Sequence, residues 1–159
     1  MYASPETMKT LRTMYGWAFE SGKARTGYVR PEPHETTEPF HVGGVLVTPL
    51  PVMHAGVETY AYVLESGGRR LVYMPDVKSI PEASLERMTG ADLLIIDGLR
   101  YDLHPTHMCL DESLAAIRAI EPGQAFLTHL SHNMDYRILS GRLPENVGAA
   151  YDGLRLSLP

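Results

Sequence analysis

The chain has 159 residues, 44% of them apolar, and a formal net charge of −5, which is the length of one domain and enough apolar content for a buried core. No run approaches the roughly 20 apolar residues that a membrane span requires, the N-terminus has no basic stretch followed by an apolar one, and the fourteen basic residues are scattered, so a membrane, a secretory leader and long nucleic acid are not expected. The one cysteine, Cys109, precludes an internal disulfide and fits a reducing cytoplasm.

In chain order, Ser4-Pro5-Glu6 reads as an N-cap with proline at the first helical position, and apolar residues at helical spacing predict a helix over 4–20. Met8, Met14 and Trp17 are expected in its core face. Residues 21–44 are rich in Gly and Pro and read as a long irregular connection, a lid or a segment that needs a partner, with His34 and His41 as solvated loop residues. "VLVTPLPVMH" (45–54) is a strand whose prolines place it at an edge or a bend. "TYAYVLES" and "GGRRLVYMPD" form a hairpin turning at Gly67-Gly68. "SIPEASLERMTG" is a short helix with a Ser79–Glu82 capping box and Gly90 as its stop. "ADLLIIDG" (91–98) reads as a strand buried on both faces. "LDESLAAIRAIEPG" is a helix capped by Asp111 that buries Leu114, Ile117 and Ile120. "QAFLTH" (124–129) is another buried strand and "LRLSL" (154–158) a final one. Strands alternate with helices, so the class is α/β or layered α+β, in one domain spanning 1–159.

Four residues share one context, just past a strand's C-terminal end or on the loop after it: His54, Asp76, His107 and His129. Imidazoles with a carboxylate suit zinc, manganese or iron. On spacing alone each strand-end histidine has two readings, a hydrogen-bonded structural residue or a ligand, and Asp76 has a second one as a turn cap. His104, beside Pro105, reads as solvated, and Cys109 as a small buried filler.

Taken together and in this order, "PVMHAG", "LVYMPDV", "DLLIIDGLRY", "HPTHMCLDESL", "FLTHLSHNMDY" and "LPENVGAAYDGLRLSL" resemble the latter two-thirds of a metallo-β-lactamase-fold hydrolase. The branch is that of phosphoribosyl 1,2-cyclic phosphate phosphodiesterase (PhnP-like), related to ribonuclease Z. The resemblance implies an αββα sandwich that is N-terminally incomplete, because the family's H-x-H-x-D-H motif does not occur in the sequence. It implies metal ligation by His54, Asp76 and His129, with Asp76 bridging. It implies a catalytic role near the substrate phosphate for His107, and support or substrate contact for His132. The function it implies is metal-dependent hydrolysis of small phosphodiesters, cyclic or nucleotide-like, with zinc or manganese and weak metal binding in a chain lacking the motif. The alternatives are a non-catalytic remnant that self-associates or binds a partner, and ribonuclease Z-like RNA processing, against which the acidic charge counts. Self-association is expected, from sheet edges that the missing strands would leave open.

Overall fold

The computed structural model describes residues 1–19 and 31–158; the end of the first predicted helix at residue 20 and the stretch 21–30 of the predicted connection lie outside them. The chain divides into two compact units, Met1–Pro39 and Phe40–Pro159.

In the first unit, β1 (Tyr2–Ala3) pairs in parallel with β2 (His34–Glu35). Ser4 caps α1 (Pro5–Met14): its hydroxyl accepts from Thr7 N–H at 3.2 Å, as the sequence predicts. The helix is shorter than expected. Tyr15 leaves helical geometry at φ −124° and ψ 34°, and a separate turn, α2 (Gly16–Phe19), follows. Met8 is buried as expected, but Met14 and Trp17 are exposed at 63% and 65%. His34 is exposed, yet it lies in β2 and stacks on Tyr2 at 4.7 Å rather than sitting in an irregular loop.

The second unit is one seven-stranded sheet in the order β3-β4-β5-β6-β7-β8-β9: β3 (Phe40–Val42), β4 (Val45–His54), β5 (Val57–Ser66), β6 (Arg69–Met74), β7 (Leu93–Asp97), β8 (Gln124–Thr128) and β9 (Val147–Ala149). The irregular reading of 21–44 thus fails at 40–42, where exposed His41 is part of β3. Adjacent pairs are antiparallel from β3 to β6 and parallel from β6 to β9. It follows that β4, β6, β7, β8 and β9 all run the same way, and their C-terminal ends lie along one edge of the sheet.

Local chemistry accounts for most of these elements. Gly67 and Gly68, at φ 57° and 76°, make the predicted two-residue hairpin turn. β3 pairs with β4 only over Val45–Val47, so the stretch of β4 that carries Pro49 and Pro51 has a ladder on the β5 side alone, which is where prolines are tolerated. The mixed α/β class is borne out by α3 (Glu82–Met88), α4 (Leu110–Ile120) and α5 (Tyr136–Ser140) between the later strands. Of the expected αββα layers, the described residues of this unit hold one sheet and these helices. Val63, Val72, Leu94, Ile96 and Leu127 from alternate strand positions pack with Met88, Ile117 and Leu139 from the helices. Each such side chain, when fully buried, contributes about 2 kcal/mol relative to exposure. Gly148 in β9 lies against the Phe126 ring so closely that a Cβ there would stand 2.5 Å from it.

Three sequence expectations are corrected. The Ser79–Glu82 capping box does not form. Ser79 is used in a bridge to Met53, whose N–H donates to Ser79 O at 2.9 Å, and Pro81 takes the N-cap of α3. Helix α4 is capped at Cys109 rather than Asp111: Glu112 Oε2 accepts from Cys109 N–H at 2.9 Å, and Asp111 falls inside the first turn. Residues 154–158 are not a strand despite their alternation. β9 holds the last place in the sheet, and a turn with Gly153 at φ 88° takes the chain off it. Leu154 and Leu158 instead line a cavity of about 520 Å³ over Leu71, Ile95 and Phe126, on the sheet face away from the core.

Candidate functional site

The shared strand direction has a chemical result. His54 ends β4, Asp76 follows β6, Asp97 ends β7 and His129 follows β8, so all four meet along one edge, and the loop after β7 brings His104 and His107 to the same place. The rings of His54 and His107 have centroids 4.5 Å apart, those of His107 and His129 4.8 Å, and those of His104 and His107 5.1 Å. His54, Asp76, His107 and His129 are therefore brought together as their context predicted. His132 is not: it is exposed in the turn after Ser131, with no hydrogen bond or ring contact to the cluster among the described residues.

Asp97 is fully buried. One of its oxygens, Oδ2, accepts from His107 Nδ1–H at 2.7 Å and from Val77 N–H at 3.2 Å, and Oδ1 accepts from Leu99 N–H at 3.1 Å. Backbone N–H groups donate to both Asp97 oxygens, so the carboxyl acts as the acceptor here, the His107 proton sits on Nδ1, and Nε2 is the nitrogen left for chemistry. The bond to Val77 also fixes the residue that follows Asp76. Ser113 Oγ–H donates to the Asp97 backbone carbonyl at 2.6 Å and docks α4 on the same residue. Sequence reading missed Asp97 because it closes an apolar run. The signal it did leave was a charged residue at the end of a strand otherwise buried on both faces.

His54 is oriented in the same way, by a backbone acceptor. Its Nδ1 lies 2.9 Å from the Thr106 carbonyl oxygen, which can only accept, so Nδ1 carries hydrogen and Nε2 a lone pair. This arrangement, one ring nitrogen donating to a carbonyl or carboxylate and the other free, is the one that metal-binding histidines adopt. His129 sits just past β8 at φ 59°, a left-handed conformation that costs a histidine about 1–2 kcal/mol. Its Nδ1 lies 3.6 Å from Asp76 Oδ1 and 3.5 Å from Asp97 Oδ1, beyond good hydrogen-bond range.

His104, read from sequence as solvated, is partly buried. Its Nδ1 accepts from the backbone N–H groups of Thr106 and His107, both at 3.3 Å, with the Thr106 hydroxyl at 3.2 Å. Burial, then the nearby Arg100 guanidinium and His107, hold its pKa below the ordinary histidine value. At the rim, Lys78 Nζ and Glu112 Oε1 form an ion pair at 2.6 Å. Burial alone would raise the Glu112 pKa, but the bonds from Lys78 and from Cys109 N–H outweigh it and hold it low.

The donor set fits a divalent metal ion. One donor atom each from His54, Asp76 and His107 lie within 4.8 Å of one another, and the same holds for Asp97, His107 and His129. The Nδ1 protons of His54 and His107 are already held by protein acceptors, and imidazole with carboxylate is ligand chemistry that such ions take. Asp97 differs from Asp76. Three N–H donors already engage its two oxygens, so it works as an orienting group, while Asp76 is 46% exposed and open to a cation.

Known proteins are similar to this chain in sequence and in fold. Residues 1–130 match the model of the beta-lactamase superfamily domain. The structure superimposes on a diphosphatase from the PhnP family with a TM-score of 0.86 and 30% identity, over 99% of this chain and 58% of that one. It superimposes on Zn²⁺-bound PqqB from Methylobacterium extorquens with a TM-score of 0.72 and 24% identity, over 99% of this chain and 64% of that one. An octanoyltransferase of Porphyromonas gingivalis is 30% identical over 118 residues, which is 73% of this chain and 23% of that protein. The chain therefore spans less than two thirds of the length of each of these relatives. No helix among the described residues is long and apolar enough to cross a membrane.

Proposed function

Since this chain belongs to the β-lactamase superfamily, in the PhnP-like branch of its metallo-β-lactamase-fold hydrolases, we propose that it serves in the metal-dependent hydrolysis of small phosphodiesters. The observation that carries the reading is the cluster of His54, Asp76, His107 and His129 at one sheet edge, with His107 held by buried Asp97. The likeness to a diphosphatase extends over 99% of this chain, against 73% for the octanoyltransferase, which supports phosphorus rather than carbon as the centre attacked. His54, Asp76 and His129 would hold the metal, zinc or manganese, with His54 and His129 serving different ions. When bound it supplies Lewis-acid polarisation of the phosphoryl oxygens and activation of water.

The chain's own residues do the rest. Hydrolysis joins the oxygen of water to phosphorus, breaks the P–O bond to the leaving group, and leaves that oxygen in need of a proton. His107 Nε2 faces this task, since Nδ1 is committed to Asp97. A proton on Nε2 passes to the leaving oxygen, and the ring recovers one from the attacking water, while the buried carboxylate offsets the charge of the doubly protonated ring. His132, exposed in the turn after Ser131, would serve in substrate contact rather than in support of a ligand. The H-x-H-x-D-H ligands that the resemblance associates with this centre do not occur in the 159 residues, so the metal is expected to bind more weakly than in relatives that carry them.

The test is metal-dependent release of nitrophenolate from bis(p-nitrophenyl) phosphate, run beside p-nitrophenyl acetate with Mn²⁺ or Zn²⁺. Phosphodiester cleavage that disappears in His54→Ala and His129→Ala is the expected result. Cleavage of the acetate alone overturns the substrate class. No cleavage of either, with each metal, overturns catalysis in favour of a binding role.

A further inference from the structure

Two of the rings that matter most, His54 and His107, are both fixed by one short turn, residues 104–107. The Thr106 carbonyl accepts the His54 Nδ1 proton, and the His107 backbone leads directly to the ring held by Asp97. That turn is in turn fastened by a side chain. His104 Nδ1 accepts from the N–H groups of Thr106 and His107. A backbone N–H can only donate, so His104 Nδ1 must present its lone pair, and the ring's own proton sits on Nε2. The Thr106 hydroxyl lies at 3.2 Å from the same nitrogen.

We infer that His104 is a positioning residue for the site: its Nδ1 lone pair closes the 104–107 turn and so sets both the Nδ1–H tautomer of His54 and the place of the His107 ring. The inference rests on the reading that His54 and His107 act at one site, and it adds a residue that belongs to neither group of clustered donor atoms. The chain of contacts is continuous. His104 Nδ1 binds the Thr106 and His107 amides, the peptide that follows Thr106 presents its carbonyl to His54, and His54 Nε2 is left free toward Asp76 and His107. Without the acceptor at Nδ1, the two amides lose their partner, the turn opens, and the Thr106 carbonyl no longer selects the His54 tautomer. The His104 ring also lies 5.1 Å from that of His107, centroid to centroid, which limits the tilt available to the latter.

Amide side chains provide a discriminating pair of variants. The asparagine oxygen falls close to the place of a histidine Nδ1, whereas that of glutamine reaches to the place of Nε2. The metal-free protein is examined first, by long-range ¹H–¹⁵N correlation spectra of its histidines, which report the tautomer of His54. Zn²⁺ affinity is then measured by calorimetry. His104→Ala and His104→Gln are expected to mix the two tautomers of His54 and to weaken Zn²⁺ binding by about 10- to 100-fold, the usual effect of losing a partner behind a ligand. His104→Asn is expected to keep the Nδ1–H tautomer and to stay within about threefold of the parent affinity. Unchanged tautomer and affinity in His104→Ala, or equal behaviour of the Asn and Gln variants, overturns the inference. Should His104→Ala fail to fold, the Asn–Gln comparison decides alone. A parent protein that cleaves no phosphodiester defeats the proposed function but leaves the tautomer result, and with it this inference, standing.

Discussion

Two aspartates flank β7 and do different work. Asp92, one residue before the strand, is half-exposed; it accepts from Arg70 N–H at 2.7 Å and from Arg69 Nη1 at 2.9 Å. Those bonds hold its pKa below the usual carboxylate value and lock β6 to β7. Asp97, the last residue of the strand, is fully buried and directs its bonds to His107, Val77 and Leu99. β8 repeats the contrast with backbone strain. Glu121 before it and His129 after it both adopt left-handed φ, 53° and 59°. One only ends a helix; the other puts an imidazole beside two carboxylates. At the edge where the parallel strands begin, polar groups fasten the sheet, and at the edge where they end, the same residue types are spent on orienting reactive side chains.

The sharpest way to break this comparison is to remove each aspartate. Asp97→Ala leaves three buried or partly buried donors without an acceptor and should lower unfolding stability by about 3 kcal/mol, read from urea midpoints. Asp92→Ala should shift the midpoint far less, because water reaches the freed donors. Similar shifts would mean that the two edges are equivalent. Next in size, His107→Ala should lower turnover of a model phosphodiester by about 10²-fold or more with metal content unchanged. Loss of the metal instead would make His107 a ligand.

A smaller effect separates the two strained residues. Glu121→Gly and His129→Gly should each relieve left-handed strain and stabilise by about 0.5–1 kcal/mol, but only His129→Gly should weaken Zn²⁺ binding. If His129→Gly destabilises, the ring is held by contacts stronger than those the structure shows. The smallest effect is in pH dependence. The His104 pKa is depressed in the fold, so the unfolded chain takes the proton first. The stability it contributes is fully present above the ordinary value of 6.5 and is lost as pH falls from there through the folded value. Glu112, also depressed, acts in a lower window, losing its contribution as pH falls below about 4.5. The drop in urea midpoint between about pH 7 and pH 5.5 should therefore be smaller in His104→Asn than in the parent; equal drops would remove His104 as the cause.

The sequence made the strand-end positions of His54, Asp76, His107 and His129 legible, because hydrophobic period and turn residues mark where strands stop. Their meeting at one edge was an expectation from that shared context, and the strand directions that produce it were not legible. The meeting depends on β4 and β6 running parallel with an antiparallel strand between them, a matter of pairing rather than period. Asp97 and His104 were hidden for different reasons. Asp97 is written as the tail of an apolar run, and the work of His104 depends on where two backbone amides point. The alternation in residues 154–158 misled because period 2 needs a partner strand to become one, and β9 already closes the sheet. Ser79 to Glu82 has the spacing of a capping box, yet a tertiary bridge to Met53 outcompetes it.

The order of pairing along the sheet also bears on how the unit assembles. β4, β5 and β6 are joined by two-residue turns, Ala55-Gly56 and Gly67-Gly68, so their ladders close short loops at small entropic cost. Each parallel pair from β6 to β9 must wait for a helical crossover to return. The meander is thus expected to form early and the parallel half late. Val63→Ala, in β5, should accordingly slow folding, while Leu127→Ala, in β8, should mainly hasten unfolding; the reverse pattern in stopped-flow chevrons would contradict it. The site edge, which needs His54 from the early half and His129 from the late half, would then be among the last features of the native state to be completed.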